Sequence, residues 1–217
     1  GVMANHIPDF RKINTILRAK VGWEVVAVSG LIPVALFFKH LANRQFPVTC
    51  FIRREDQFDY IQEPDIFHDG YGHLPMLADK TIADYMEAYG KGGLKALAMG
   101  EEFLVFLERL YWYTVEFGLM QTPQGLRIYG SGIVSSPKES VYALESRKPR
   151  RLRFDLMRVM RTTYRIEDVQ EVYFIIRSIE ELMEITLKDF GTIYDSLARM
   201  PDALKHLSPG VVVSGDE

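Results

Sequence analysis

Apolar side chains return with the period of an α-helix along much of the chain. The clearest segment is 101–117, where apolar residues recur at intervals of three and four. Gly118 follows this segment and provides a stop, so it is predicted to be the longest helix. Weaker stretches with the same period predict five further helices. The first covers 13–20 and ends near Gly22, the second begins at Pro33, and the third covers 81–89 and ends at Gly90. The last two cover 154–160 and 179–190.

Segments that favour strands are few and short. Residues 48–52 and 172–176 are rich in β-branched and aromatic side chains, and 126–134 is a strand region that glycines interrupt. Short strands scattered between helices indicate an α+β, predominantly helical fold, a helical basket and not a doubly wound sheet. The length of 217 residues suits one domain. We predict a single domain over 1–207 and a flexible tail, rich in Gly and Ser, over 208–217.

Composition and charge narrow the possible functions. The 26 basic and 29 acidic side chains give a net charge of −3 without a basic stripe, which argues against nucleic acid, and the apolar runs are too short for a membrane span. Cys50 is the only cysteine, which excludes an intrachain disulfide and a thiolate metal cage. A single thiol fits a reducing, cytoplasmic setting. Metal chemistry in this chain must therefore use histidines and carboxylates.

The segment 63–73 contains the main candidates for metal chemistry. His68 and His73 lie five positions apart, and an ideal helix would turn the second about 140° away from the first. Gly70 and Gly72 lie between them and allow the backbone to turn. The two imidazoles can then converge on one ion at about a right angle. This geometry suits a facial metal site with open positions.

Glu116 is the candidate for a third ligand. Its neighbours in the sequence are all apolar, aromatic or small, and a carboxylate buried among them is destabilising unless it is paired or bound to metal. Two histidines and one carboxylate favour Fe(II), with open positions for O₂ and water. Zinc with the same ligands would instead imply hydrolysis. A chance pair of histidines and a Glu paired with Arg are simpler interpretations, and the residues alone leave all of these open.

Longer motifs in the chain resemble those of the pterin-dependent aromatic amino acid hydroxylases, most closely the bacterial members. The resemblance extends from residue 7 to about residue 182, which is nearly the whole chain. The motifs that carry it are GWEVVAV from Gly22, GLIP from Gly30, HLANR from His40, FPVT from Phe46, QEPDIFH from Gln62, Gly72-His73, LYWYTVEFGL from Leu110, IYGSGIVSS from Ile128 and YRI from Tyr164.

The resemblance implies a mononuclear iron site and a pterin cofactor. Fe(II) would be bound by His68, His73 and Glu116, with a tetrahydropterin such as tetrahydrobiopterin as the two-electron donor and O₂ as co-substrate. The implied reaction is hydroxylation of the ring of an aromatic amino acid, with L-phenylalanine to L-tyrosine as the first hypothesis. Asp69 stands where animal members have Glu, and it is implied to hydrogen-bond the pterin or a water ligand of the iron.

The same resemblance assigns residues to the backbone of the amino acid substrate. Arg53 would bind the substrate carboxylate, because a guanidinium matches a carboxylate at two points and each such charged hydrogen bond contributes roughly 1.5–3 kcal/mol. Ser135 and Ser136 correspond to hydroxyls near the backbone of the bound amino acid. Without the resemblance, Arg53 would be interpreted as a solvated charge and the two serines as the exit of a strand.

The remaining assignments concern the aromatic ring and the pterin. Without the resemblance, Trp112 would be interpreted as a core residue and Phe37 as part of an apolar helix face. The resemblance instead places Pro64, Trp112 and Phe117 at the ring of the substrate, and it places Leu31, Ile32, Phe37 and Tyr111 at the pterin.

Several features bear on the choice of substrate and on assembly. Trp112 favours phenylalanine, because the animal members that use tryptophan have a smaller aromatic residue there. Gly70 and Tyr71 replace a bulky apolar pair, and Tyr71 is expected to place a hydroxyl close to the iron, which leaves tryptophan, another aromatic amino acid or another ring position open. A metal- or amino-acid-binding protein without turnover is a further alternative. The animal regulatory domain and tetramerisation helix have no counterpart, which predicts a monomer.

Overall fold

The computed structural model describes residues 9–57 and 63–213 of the chain. Helices make up most of the regular structure in these two ranges, which confirms the prediction of an α+β, predominantly helical fold. The helices are α1 (Phe10–Val21), α2 (Val34–Ala42), α3 (Ile66–His68), α4 (Leu74–Leu77), α5 (Lys80–Met99), α6 (Leu104–Tyr111), α7 (Ser131–Val134), α8 (Pro137–Glu145), α9 (Leu156–Arg161), α10 (Glu180–Thr186), α11 (Phe190–Ala198) and α12 (Asp202–Lys205).

Two small sheets lie between the helices. In the first, β1 (Glu24–Val28) pairs in parallel with β2 (Gln45–Thr49). The strands of the second sheet, in spatial order, are β4 (Gly125–Ile128), β3 (Leu119–Thr122), β6 (Val172–Ile176) and β5 (Arg150–Arg153). β3 is antiparallel to β4 and parallel to β6, and β6 is parallel to β5.

Helix α1 is defined by its two ends. The Asp9 carboxylate accepts a hydrogen bond from the backbone N–H of Arg11 at the first turn, as a good N-cap does. Gly22 has a φ of 73°, the left-handed conformation that glycine adopts most easily at a helix end. The prediction of a helix over 13–20 that ends near Gly22 is confirmed.

Helix α5 does not end at Gly90, and the predicted helix 81–89 was therefore too short. Gly90 and Gly93 lie where α5 crosses α2, and a Cβ at Gly90 would be 2.4 Å from the backbone nitrogen of Ala42. A Cβ at Gly93 would be 2.1 Å from the ring of Phe38. These glycines allow close approach of two helices and do not stop one. The helix ends at Gly100, whose φ of 159° leaves the helical region.

The predicted strands are partly correct. Residues 172–176 coincide with β6, whereas the strand predicted at 48–52 lies at Gln45–Thr49. The region 126–134 is a strand only as far as Ile128, because the chain then turns into α7. The β-branched residues Ile133 and Val134 resemble a strand locally, but packing of α7 against the rest of the protein overrides this preference.

The predicted C-terminal helices also need correction. The helix expected over 154–160 is α9, shifted by about one residue towards the C-terminus. The helix expected over 179–190 is two helices, α10 and α11. The Asp189 side chain accepts hydrogen bonds from the backbone N–H groups of Gly191 and Thr192, so it is the N-cap at which α11 begins.

Large aromatic side chains fill the centre of the described structure. Trp23, Phe46, Tyr85, Tyr113 and Phe174 are each buried almost completely. Each such side chain contributes roughly 1.5–3 kcal/mol by leaving water. The core therefore holds α5, α6 and the two sheets in fixed positions around the site described below.

The two ends of the chain lie partly outside the described ranges. Residues 1–8 and 214–217 are not described, so the predicted domain over 1–207 and the flexible tail over 208–217 stay predictions. Within the described part, the backbone carbonyl of Val211 accepts hydrogen bonds from Arg150 and Arg158. None of the helices within 9–57 and 63–213 has the length and apolar character needed to cross a membrane.

Candidate active site

A π-helical turn, Asp69–His73, separates the two candidate histidine ligands, because His68 ends α3 just before the turn and His73 is its last residue. The backbone N–H of Leu74 bonds to the carbonyl of Asp69, five residues earlier, which widens the turn. The widened turn brings positions five apart to one face, so the Nε2 atoms of His68 and His73 lie 3.0 Å apart. Their rings are nearly perpendicular, at 85°. The prediction that the two imidazoles converge is confirmed.

The reason given from the sequence for this convergence was wrong. Gly70 and Gly72 do not bend the chain out of the helix, because both lie within the π-helical turn. Gly72 instead allows close packing, since a Cβ there would be 2.8 Å from the Cβ of Ser131 and 2.9 Å from its carbonyl oxygen. The i→i+5 hydrogen bonding, which periodicity does not predict, sets the spacing of the two ligands.

Glu116 closes the set from a second π-helical turn, Trp112–Glu116, at the end of α6. The backbone N–H of Phe117 bonds to the carbonyl of Trp112, again five residues earlier. Glu116 Oε1 lies 3.1 Å from His73 Nε2, and Oε2 lies 3.6 Å from His68 Nε2. His68, His73 and Glu116 form the one such cluster of potential metal ligands within the described residues.

The distances and electrostatics of this cluster suit one metal ion. An ion with bonds of about 2.1 Å holds neighbouring ligands of a facial octahedral set about 3.0 Å apart, close to the separations observed. Burial lowers the pKa of His68 to about 4, which keeps its imidazole neutral. Burial alone would raise the pKa of Glu116, but the two imidazoles bring it to about 2. Burial alone would lower the pKa of His73, but the Glu116 carboxylate beside it raises this pKa. Neutral histidine and ionised carboxylate are the forms that bind metal, so an ion would displace the proton that Glu116 favours on His73.

Two serines orient the ligands. Ser135 Oγ lies 2.7 Å from Nδ1 of His68, the ring nitrogen that points away from the cluster. Ser131 Oγ donates to Glu116 Oε2 at 2.8 Å, and it lies 3.3 Å from His73 Nε2. The sequence assigned no role to Ser131, although it lies between two glycines in the IYGSGIVSS motif. Hydrogen bonds of this kind fix the direction of metal ligands.

Asp69 lies beside the histidines and is buried. Its Oδ2 accepts hydrogen bonds from the backbone N–H and the hydroxyl of Thr49, at 3.0 and 3.2 Å. Burial raises the pKa of Asp69 to about 6. Thr49, at the end of β2, therefore holds this carboxyl at the edge of the cavity described next.

All of the predicted site residues line a single cavity of about 390 Å³. Its volume is in the range of small-molecule sites. Tyr71 is the exception to what the sequence suggested, since its side chain is 44% exposed and its ring lies 4.8 Å from that of Phe67. The side chain of Tyr71 does not line the cavity, so the expectation of a hydroxyl close to the metal was wrong.

Arg53 lies in the cavity wall and is buried, which contradicts its interpretation as a solvated charge. Its Nε and Nη2 donate to the two oxygens of Asp65 at 3.0 and 2.8 Å, and its Nη1 donates to the carbonyl of Ser135 at 3.1 Å. Asp65 Oδ1 also accepts from the backbone N–H of His68. Asp65 therefore links the guanidinium to the metal-ligand turn, and the sequence had not identified it.

Aromatic rings form the remaining walls. Trp112 lies between Phe117 and Tyr164, with ring centroids 5.5 and 4.8 Å apart and nearly parallel planes. Phe37 meets Tyr111 edge to face at 5.4 Å. The cavity thus combines flat apolar walls with a few polar groups at its base.

A two-histidine, one-carboxylate cluster at the base of an aromatic cavity is the site of a non-haem iron oxygenase. The model of the family described as biopterin-dependent aromatic amino acid hydroxylase matches residues 1–199 of the chain. The chain belongs to this family.

Individual relatives agree with the family match. The phenylalanine-4-hydroxylase of Caulobacter vibrioides is 59% identical over 95% of this chain and 70% of its own length. The Chromobacterium violaceum phenylalanine hydroxylase with bound iron(III) and oxidised 7,8-dihydrobiopterin matches with a TM-score of 0.92 and 51% identity, over 100% of this chain and 76% of that one. The structure of the same enzyme with iron and phenylalanine matches with a TM-score of 0.91 and 50% identity, over 99% and 76%.

Proposed function

We propose that this protein converts L-phenylalanine to L-tyrosine, using one iron ion, a tetrahydropterin and O₂. The observation that carries the proposal is the convergence of His68, His73 and Glu116 at the base of the aromatic cavity. Membership of the biopterin-dependent family and the relatives named phenylalanine-4-hydroxylase support the choice of cofactor and substrate. When bound, iron and tetrahydropterin supply the activation of O₂ and two electrons.

The protein side chains would hold the iron and keep it reactive. Two neutral imidazoles and one carboxylate leave coordination positions free for other ligands. Ser135 and Ser131 hold His68 and Glu116 in orientation. Asp69, which Thr49 holds by a hydrogen bond, would hydrogen-bond the pterin or water at the metal.

The substrate would be held by its backbone at one side and its ring at the other. Arg53 is oriented by Asp65 before any ligand arrives, which reduces the entropy lost when a carboxylate binds. Trp112, with Pro64 and Phe117, would form the pocket for the ring. Phe37 and Tyr111, with Leu31 and Ile32, would form the side for the pterin. Such positioning of two reactants can supply much of a rate enhancement.

The direct test is reconstitution of the protein with Fe(II) under anaerobic conditions. Tetrahydrobiopterin, phenylalanine and air are then added, and amino acid products are identified by mass spectrometry. We expect tyrosine to form in step with oxidation of the pterin. Pterin oxidation without tyrosine would contradict the proposed substrate, and a panel of tryptophan and other aromatic amino acids would then identify the one used.

A metal comparison tests the proposal against the zinc alternative and the binding-protein alternative. The same protein is loaded with Zn(II) in place of Fe(II), and both forms are given the same substrates. Tyrosine formation by the iron form alone supports the proposal. If the protein binds iron and phenylalanine but neither the iron form nor the zinc form yields a product, it is a binding protein without turnover.

We propose in addition that the protein is a monomer and works in the cytoplasm. The single cysteine supports a reducing, cytoplasmic setting. Multi-angle light scattering at micromolar concentration tests the first part. A mass of twice 25.0 kDa or more would contradict the monomer.

A further inference from the structure

Glu108 is a carboxylate in the cavity wall to which the proposed reaction assigns no role. It lies on α6, it is partly buried, and it lines the same cavity as the metal ligands. Its carboxylate has no hydrogen bond and no ion pair with any residue of the described ranges. Burial raises the pKa of Glu108. A partly buried carboxylate of this kind is under-solvated, so a donor supplied by a ligand would stabilise it.

The neighbouring arginine does not supply that donor. The guanidinium of Arg109 is directed at the C-terminal segment, where Nη1 donates to the carbonyls of Met160 and Lys205 and Nη2 lies 2.7 Å from Nδ1 of His206. Arg109 therefore has its own set of acceptors. Glu108 lies near Tyr164 instead, and its charge is one reason, after burial, that the pKa of Tyr164 rises to about 12.

The position of Glu108 on α6 indicates which part of a ligand it can meet. It precedes Tyr111 and Trp112 by three and four residues, so it lies on the same face of the helix as these two cavity walls. It precedes Glu116 by eight residues, which is about 12 Å along the helix axis. Glu108 is therefore two turns away from Glu116, and because it is only partly buried whereas Glu116 is buried, it lies nearer the open side of the cavity.

A pterin bound for the proposed reaction would have its ring close to the iron ligands and Phe37. A bicyclic ring is too short to span two helical turns as well, so the substituent on the ring is the part that can extend to the outer wall. In tetrahydrobiopterin this substituent bears hydroxyl groups, which donate hydrogen bonds. In tetrahydrofolate the substituent ends in glutamate carboxylates, which the carboxylate of Glu108 would repel.

We propose that Glu108 determines the specificity of this protein for the pterin side chain, by accepting hydrogen bonds from its hydroxyl groups and disfavouring an anionic tail. This inference rests on the proposed function for the identity of the cofactor. It concerns equilibrium binding of the pterin and does not require Glu108 to touch the reacting atoms.

Equilibrium binding tests the inference without relying on turnover. The Fe(II) protein is titrated anaerobically in a calorimeter with tetrahydrobiopterin and with 6-methyltetrahydropterin, which has the same ring and no hydroxyl on its substituent. We expect Glu108→Gln and Glu108→Ala to weaken binding of tetrahydrobiopterin by about tenfold, the loss of one charged hydrogen bond. Binding of 6-methyltetrahydropterin should change by less than about twofold, and binding of tetrahydrofolate should tighten.

Glu101→Gln is the matched control, because Glu101 is exposed and lies at the start of the same helical segment, outside the cavity. It should leave all three dissociation constants unchanged. Circular dichroism and the melting temperature establish that each variant is folded, and Glu108→Gln preserves the shape of the side chain if Glu108→Ala unfolds.

The outcomes separate this inference from the proposed function. Equal weakening of both pterins, or no weakening of either, would overturn the role of Glu108. Weaker binding of phenylalanine with pterin binding intact would also overturn it, and would assign Glu108 to the ammonium group of the substrate. Suppose that the Glu108 variants lose affinity for tetrahydrobiopterin alone, as expected, but the wild-type protein forms no tyrosine. This result would support the role of Glu108 and contradict the proposed substrate.

Discussion

The Asp65 carboxylate holds the Arg53 side chain and backbone at once. It accepts hydrogen bonds from the Arg53 backbone N–H and Nε at Oδ2 and from Nη2 at Oδ1, at 2.8, 3.0 and 2.8 Å. Both side chains are almost completely buried. Oδ1 of Asp65 also accepts a hydrogen bond from the backbone N–H of His68 and so caps the helical turn that carries this histidine. One carboxylate therefore fixes the position of the candidate substrate-binding guanidinium relative to the metal ligands.

This relationship predicts a large effect of Asp65→Asn. Breaking a buried ion pair leaves an uncompensated charge and costs about 3–5 kcal/mol. We expect the free energy of unfolding in urea to fall by about 3 kcal/mol, since Asn keeps part of the hydrogen bonding. We also expect KM for phenylalanine to rise more than kcat falls, because Arg53 loses its orientation.

The chain contains a matched control for this change. Arg54 and Asp56 form an ion pair of the same kind with both side chains mostly exposed. Asp56→Asn should alter the free energy of unfolding by less than about 1 kcal/mol. Equal effects of Asp65→Asn and Asp56→Asn would show that burial does not distinguish the two pairs.

Adjacent glycines of α5 should respond to alanine in opposite directions. A Cβ at Gly93 would overlap the ring of Phe38, whereas a Cβ at Gly92 meets nothing within 4 Å. We expect Gly93→Ala to destabilise the protein by about 1–3 kcal/mol through overpacking. Gly92→Ala should stabilise it by up to about 1 kcal/mol, because alanine is the better helix former. Chemical denaturation of both variants measures this, and the same sign for both would contradict the packing of α5 on α2.

Each metal ligand should be essential for iron binding. We expect His68→Ala, His73→Ala and Glu116→Ala to lower iron content after anaerobic reconstitution and to abolish tyrosine formation coupled to pterin oxidation. His40→Ala is the control, since His40 contacts Gln45 and does not line the cavity. Iron content is measured by mass spectrometry of the desalted protein. Full iron content and activity in any one ligand variant would remove that residue from the site.

Trp112 should limit the size of the substrate ring. It is fixed between Phe117 and Tyr164, so a smaller residue there would enlarge the pocket. We expect Trp112→Phe to raise activity on tryptophan relative to phenylalanine by roughly tenfold, which corresponds to about 1–2 kcal/mol of discrimination. Competition assays with both amino acids measure the ratio of kcat/KM. An unchanged ratio would mean that Trp112 does not set ring size.

Glu139 should make the stability of the protein depend on pH. Burial raises the pKa of Glu139, although hydrogen bonds from Tyr173 and the backbone of Gln170 partly offset this effect. The folded protein then binds this proton more tightly than the unfolded chain does. Ionisation of Glu139 therefore reduces stability as the pH rises from the ordinary value of 4.5 through the raised value.

The variant Glu139→Gln removes this titration. Its free energy of unfolding relative to that of the wild type should increase as the pH rises from 4.5 through the raised pKa of Glu139. Glu145→Gln, at the exposed end of the same helix, is the control for the loss of a carboxylate. Urea denaturation over this pH range measures the free energy of unfolding of both variants and of the wild type. A difference between Glu139→Gln and the wild type that does not change with pH would contradict the prediction.

The sequence by itself determined the features that depend on neighbours along the chain. Helix α1 was predictable because its apolar period and Gly22 are local signals, and β6 was predictable because Val172–Ile176 is a compact apolar run. The cluster of candidate metal ligands was also predictable, since His68, His73 and Glu116 lie within motifs that resemble those of a known family.

Only the tertiary structure decided the features that depend on residues far apart in the sequence. Gly90 looks like a helix stop until α2 is seen to pack against it. One π-helical turn sets the spacing of His68 and His73 and the other ends at Glu116, and no local period indicates either turn. Asp65 and Ser131 became recognisable only from their distances to Arg53 and Glu116. Periodicity records which face of an element is buried, whereas packing and pairing are set by what the folded chain places against that face.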